Sequence, residues 1–186
     1  MVIGCGRSEI RVRRAVFLDR DGVINKSLTR GGRPYAPTRI TDFEILPGVV
    51  QALLQLRHAG YLNIVVTNQP DLKTGKQSPE VLQLMHSRLV NDLALDEIQV
   101  CPHTDEDKCS CRKPHPGMLF DSAERFQISL GESWMIGDRW RDIAAGQTAG
   151  CRCFFIDYGY KERQPEQPFT CVASLPEAVA LIVERT

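Results

Sequence analysis

Two carboxylates two residues apart, Asp19 and Asp21, directly follow the apolar run Ala15 to Leu18 in the segment Asp19-Arg20-Asp21-Gly22-Val23-Ile24-Asn25. Such a pair can divide the labour of phosphate-ester cleavage. An ionised carboxylate attacks phosphorus, and its neighbour protonates the departing alkoxide and then activates water. Gly22 permits the sharp turn that brings backbone close to a phosphate. Taken alone, Asp-x-Asp after an apolar run reads as a turn with solvated acids. Three further segments change the weighing. Thr67-Asn68-Gln69 follows Val65-Val66, Arg112-Lys113-Pro114 supplies two adjacent cations, and Gly137-Asp138-Arg139-Trp140-Arg141-Asp142 follows Met135-Ile136. A hydroxyl, amides, cations and further acids are the groups that position and neutralise a transferring phosphoryl group. A hard oxygen-ligand site with open positions suits Mg²⁺.

A second cluster has different chemistry. Cys101-Pro102-His103, five residues, then Cys109-Ser110-Cys111 brings three thiols and an imidazole into eleven residues. That is a tetrahedral zinc set with no open position, hence a structural site. It leads straight into Arg112 and Lys113, so a bound Zn²⁺ would fold a loop of charged residues and aim both cations. The seven cysteines, at 5, 101, 109, 111, 151, 153 and 171, are odd in number and clustered, which argues against a disulfide framework. Cys151 and Cys153 lie at the entry of an expected strand and read as small buried hydrophobes.

These residues need a scaffold. From Ala15 onward apolar runs alternate with helical patterns, the signature of parallel strands joined by helical crossovers. Strands are expected at Ala15 to Leu18, Leu62 to Thr67, Ile98 to Cys101, Ser133 to Ile136 and Cys153 to Ile156, each covered on both faces. Helices are expected at Gly48 to Ala59, Pro79 to Leu93, Pro116 to Phe126, Trp140 to Ala149 and Leu175 to Glu184. Ser78 before Pro79 marks a start, and Gly60 and Gly150 mark stops. The reading is a doubly wound, Rossmann-like α/β domain spanning residues 1–186, with no insertion large enough for a cap domain. Ligands of open parallel sheets bind beyond the carboxyl ends of the strands. Every chemical segment above falls there.

In this order the four polar segments resemble the motifs of the haloacid dehalogenase superfamily, over about Ala15 to Tyr160. Within it the chain is most similar to the subgroup of heptose-bisphosphate and histidinol-phosphate phosphatases. The resemblance implies Asp19 as nucleophile and Asp21 as general acid and base. It implies Mg²⁺ on the Asp19 and Asp138 carboxylates and the Asp21 carbonyl, with Asp142 in support, and Thr67 and Lys113 on the phosphoryl group. It also carries the zinc pattern Cys101, His103, Cys109 and Cys111, and places Arg112 and Arg139 against substrate. Asn68, Gln69 and Tyr35 are further candidates for substrate contact, Tyr35 from the loop Lys26 to Pro37. Where the subgroup commonly has Ser-Gly after Thr67-Asn68-Gln69, this chain has Pro70-Asp71.

The implied activity is a Mg²⁺-dependent phosphatase for a small phosphorylated metabolite, with a heptose 1,7-bisphosphate (its 7-phosphate) first and histidinol phosphate second. Arginines favour a second phosphate over an imidazole. A phosphate-binding module without catalysis is the reading of another class, set against it by the presence of both acids. With 23 basic and 23 acidic side chains and a pI near 6.9, the chain lacks a field for nucleic acid or an anionic membrane. Met1 to Arg14 holds Arg7, Arg11, Arg13 and Arg14 without an apolar h-region, and no stretch nears the roughly 18 apolar residues of a span. A cytoplasmic protein is expected, and a monomer, since no helix carries a heptad seam.

Overall fold

The computed structural model describes residues 12–185; Cys5, Arg7 and Arg11 lie outside them. Six parallel strands form one sheet in the order β5-β4-β1-β6-β7-β8. These are β1 (Arg14–Leu18), β4 (Tyr61–Asn68), β5 (Glu97–Cys101), β6 (Trp134–Gly137), β7 (Arg152–Ile156) and β8 (Thr170–Val172). Five coincide with expected strands to within two residues at either end. The sixth, β8, is Thr-Cys-Val, too short and too polar in its setting to show as an apolar run.

Alternation along β1 explains how a strand buried on both faces serves two cores. Val16 and Leu18 enter one apolar cluster, and Ala15 and Phe17 enter the other, as a period of two requires. Helices α1 (Val49–His58), α2 (Pro79–Asp92) and α5 (Leu175–Val183) pack into the first cluster through Leu53, Leu56, Met85, Leu89, Val179 and Ile182. Helices α3 (Gly117–Phe126) and α4 (Trp140–Ala149) fill the second through Met118, Leu119, Ile143 and Ala145. The caps are those signalled by sequence. Ser78 Oγ accepts from Val81 N at 3.2 Å ahead of Pro79, and Gly150 ends α4 in the left-handed region.

Two expectations are corrected. Strand β5 is the sheet's edge, and Glu97 to Val100 are only partly covered. The stretch Lys26 to Thr41, expected to be irregular, contains an antiparallel hairpin, β2 (Leu28–Arg30) and β3 (Arg33–Tyr35). Its turn is Gly31-Gly32, both at positive φ, the backbone a two-residue hairpin turn demands. The hairpin is held to the segment after β7 by Lys161 N, which donates to Gly32 O at 2.8 Å.

Strand order fixes where chemistry can occur. The chain crosses from the β4–β5 side of β1 to the β6–β7 side, so the carboxyl ends of β1, β4 and β6 meet at a switch point. Leu18 is paired with Val65 on one side and Ile136 on the other, which sets Asp19, Thr67 and Asp138 around one spot.

Candidate active site

Asp19 leaves β1 with its N–H donated to Ile136 O at 2.9 Å and is 7% exposed. Its Oδ1 accepts from Lys113 Nζ at 2.7 Å, and the same ammonium reaches Asp142 Oδ1 at 2.6 Å and Val66 O at 2.6 Å. Lys113 arrives from a distant loop because Asn68, at the end of β4, grips its backbone in both directions. Lys113 N donates to Asn68 Oδ1 at 3.1 Å, and Asn68 Nδ2 donates to Lys113 O at 3.0 Å. Burial alone would push the Lys113 amine down, but Asp142 and Asp19 outweigh it and hold it well above its ordinary value. It is a buried cation. Burial pushes Asp19 up to about 6, with Asp142 and Asp21 adding to the rise and Lys113 opposing it.

Asp138 is buried, and neither carboxylate oxygen has a hydrogen-bond partner of ordinary geometry. Burial, then the charges of Asp19 and Asp142, push its carboxyl well above the usual range, with the nearby Tyr160 hydroxyl offsetting part of the rise. A buried carboxylate with two free oxygens is what a cation site needs. One oxygen each from Asp19, Asp138 and Asp142 lie within 4.8 Å of one another. Gly22, at φ +96°, makes room, since a Cβ there would sit 1.9 Å from Asp138 Oδ2. The donors therefore fit a hard divalent ion.

Asp21 is held apart from these acids. Its Oδ2 accepts from Arg20 Nη2 at 2.9 Å and Gln69 Nε2 at 2.8 Å, and its Oδ1 from Asn25 Nδ2 at 2.9 Å. Gln69 also donates to Thr67 Oγ1 at 2.8 Å. The structure thus gives Gln69 a fully buried position against Asp21 and Thr67.

Asp19, Asp21, Tyr35, Thr67, Asn68, Lys113, Arg139 and Asp142 line one cleft, with Ser27, Ala36 and Arg141. The cleft has a volume of about 70 Å³, room enough for a phosphate group, and opens to solvent at its rim. Arg139 is there, its Nε 3.0 Å from Glu162 Oε1, so Glu162 already occupies part of its fork. Arg112 is not. It donates to Asp105 at 2.7 Å and to His103 O at 2.9 Å and lines an adjoining hollow with Lys108 and His115. Arg141 stands at the cleft beside Arg139 and grips both oxygens of Asp105 at 2.9 Å. Sequence reasoning assigned no role to Arg141, Glu162 or two of the partners of Asp21, Arg20 and Asn25. Arg20, a cation between two acids, carried a readable signal.

The cysteine loop gathers as its spacing implied. Cys101 Sγ lies 3.2 Å from Cys111 Sγ and 3.7 Å from Cys109 Sγ, and His103 Nδ1 lies 3.3 Å from Cys111 Sγ. All four donors fall within 4.8 Å of one another. Three thiols and an imidazole this close suit Zn²⁺. Cys151 and Cys153 are free and buried, and Cys171 is free and exposed on β8.

Residues 110–178 match a family model described as HAD-hydrolase-like. A D-glycero-beta-D-manno-heptose-1,7-bisphosphate 7-phosphatase of Escherichia coli (strain K12) is 33% identical, over 89% of this chain and 93% of that protein. A D-glycero-alpha-D-manno-heptose-1,7-bisphosphate 7-phosphatase of Photorhabdus laumondii is 34% identical, over 83% and 88%. Among solved structures, a D,D-heptose 1,7-bisphosphate phosphatase from B. bronchiseptica, complexed with magnesium and phosphate, superposes with a TM-score of 0.81 at 28% identity, covering 93% of this chain and 99% of that one. The chain belongs to the heptose-1,7-bisphosphate 7-phosphatase family of haloacid dehalogenase-like phosphatases.

Proposed function

We propose that this protein removes the 7-phosphate of a D-glycero-D-manno-heptose 1,7-bisphosphate by way of an aspartyl-phosphate on Asp19. The observation that carries the reading is a buried carboxylate, Asp19, set between a paired lysine and the orphaned Asp138 in a cleft of phosphate size. The names of the relatives at 33–38% identity supply the substrate.

In the first step an Asp19 oxygen forms a bond to phosphorus as the ester P–O bond breaks, and protonated Asp21 gives its proton to the departing oxygen. In the second, Asp21 takes a proton from water as that water attacks phosphorus, and phosphate leaves Asp19 restored. Lys113 and the Thr67 hydroxyl orient and neutralise the phosphoryl oxygens. Asp19, Asp138 and the Asp21 carbonyl would hold Mg²⁺, with Asp142 behind them. When bound, that ion would supply charge neutralisation between nucleophile and dianion. Arg139 and Arg141 at the rim favour a substrate with a second anionic group, and Tyr35 offers a face to the sugar. Cys101, His103, Cys109 and Cys111 would hold structural Zn²⁺ that orders the loop carrying Lys113. The protein acts as a single catalytic domain, a monomer in the cytoplasm, on a small metabolite.

Release of inorganic phosphate in Mg²⁺ from a heptose 1,7-bisphosphate, histidinol phosphate and sugar monophosphates, with Asp19→Asn as blank, tests this. A preference for the bisphosphate of about a hundredfold in kcat/KM, roughly 2.7 kcal/mol, is expected. Equal rates on all substrates overturn the assignment of substrate. Activity in Asp19→Asn equal to wild type overturns the nucleophile.

A further inference from the structure

Arg20 is fully buried, and each side of its guanidinium has a task. The Nε–Nη2 side holds Asp21, with Nε 3.2 Å and Nη2 3.0 Å from Oδ1 and Nη2 2.9 Å from Oδ2. The far corner, Nη1, lies 3.1 Å from Nε2 of His86 on α2. An arginine only donates. His86 Nε2 is therefore the acceptor and its ring proton is on Nδ1. Phe43 lies under the guanidinium, its ring centre 5.8 Å from Cζ.

We infer that His86 is a positioning residue for the catalytic acid, fixing the plane of Arg20 and thereby the orientation and release of the Asp21 carboxylate. The inference rests on the reading of Asp21 as general acid and base. A planar fork held at both ends has one orientation, and with it the angle at which Asp21 is presented to the leaving oxygen is set. Asn25 and Gln69 hold the other lone pairs of Asp21, but neither restrains the guanidinium. Without an acceptor at His86, a buried N–H on Nη1 is left unpaired, and the fork turns to find another partner. Burial of the ring, followed by the charge on Arg20, pushes His86 down to about 4, so it stays neutral and able to accept near pH 7.

The role predicts a dependence on the leaving group. Cleavage of a sugar phosphate needs a proton delivered to a basic alkoxide, whereas p-nitrophenolate departs without one. kcat/KM reports the chemistry through transfer to Asp19. With His86→Leu, kcat/KM for the heptose bisphosphate falls about tenfold to a hundredfold, at the lower end of what general acid catalysis contributes. For p-nitrophenyl phosphate it stays within about twofold. His86→Gln, which keeps an acceptor, recovers most of the loss. His86→Phe, which fills the place of the ring without an acceptor, gives the same selective fall and decides the matter should the leucine variant fail to fold. Equal losses on both substrates, or no loss on either, overturn the inference. If the wild-type protein releases phosphate from neither substrate, the reading of the site itself has failed instead.

Discussion

The Lys113 ammonium lies 2.6 Å from Asp142 Oδ1, both side chains buried, and the same nitrogen lies 2.7 Å from Asp19 Oδ1. Asp142, in the first turn of α4, also accepts from the N-cap residue, Arg139 N, at 3.0 Å. One lysine thus ties the nucleophile to the start of the helix that follows β6, and it balances charge among three buried acids.

Removing that cation uncovers the acids. Lys113→Met lowers kcat by roughly 10²–10³-fold, the scale of losing one preorganised electrostatic contact. In EDTA it destabilises the protein by about 3–5 kcal/mol, the cost of stranding a buried charge. Urea unfolding with and without Mg²⁺ checks this. A variant as stable as wild type in EDTA contradicts the balancing role.

Asp138→Asn has the opposite effect on the metal-free protein. The orphaned oxygens of Asp138 lie beside Asp19 and Asp142, so neutralising the group removes repulsion and burial cost together. Stability in EDTA rises by about 1–3 kcal/mol. Phosphatase activity is lost, and with it the stabilisation that Mg²⁺ is expected to give wild type, about 2.7 kcal/mol at a hundred times Kd and read as a rise in Tm. A Mg²⁺-dependent Tm shift in the variant as large as in wild type removes Asp138 from the ion's ligands.

How far the sequence disclosed this arrangement depends on the range of the interactions. Five of the six strands of the main sheet and its helices were legible because each is set by local periodicity and caps, as Val16 and Leu18 against Ala15 and Phe17 illustrate. The hairpin was overlooked although Gly31-Gly32 signalled it, since strands of three residues have no period to read. Asp19, Thr67 and Asp138 could be placed together from sequence because each stands at the carboxyl end of a strand, whereas Lys113 reaches them from a loop. What failed was direction. Nothing local says that Arg112 turns to Asp105 while Arg141 reaches the cleft, or that Gln69 faces Asp21, because partners 7 to 48 residues away decide it. His86 is 66 residues from Arg20, and only packing of α2 against the sheet brings them together.

The cysteine cluster should hold one metal ion, and its removal should reach the active site through Asp105. That residue lies between His103 and Cys109 and bonds Arg141 at 2.9 Å, while the loop's exit carries Lys113. Cys109→Ser loses zinc, read by mass spectrometry of the intact protein. It melts at lower temperature and shows kcat/KM reduced tenfold or more for the bisphosphate, on the scale at which disturbed metal sites lose function. Unchanged metal content together with unchanged activity contradicts the structural zinc site.

His86 supplies a test of stability against pH. Folding pushes it from its ordinary 6.5 to about 4, first by burial and then by the charge on Arg20. Between these values the unfolded chain binds the proton and the folded protein does not, so stability rises with pH across that window. The contribution is fully present above pH 6.5 and is lost as pH falls toward 4. Carboxylates titrate in the same range, among them Asp19, whose rise to about 6 acts in the opposite sense. They are common to wild type and His86→Gln, so the difference between the two isolates the histidine. Urea unfolding at pH 7.5, 6, 5 and 4.5 should show the wild-type advantage over His86→Gln shrinking steadily below pH 6.5. Curves that stay parallel would mean that His86 is not held neutral, and that Arg20 has a different acceptor in solution.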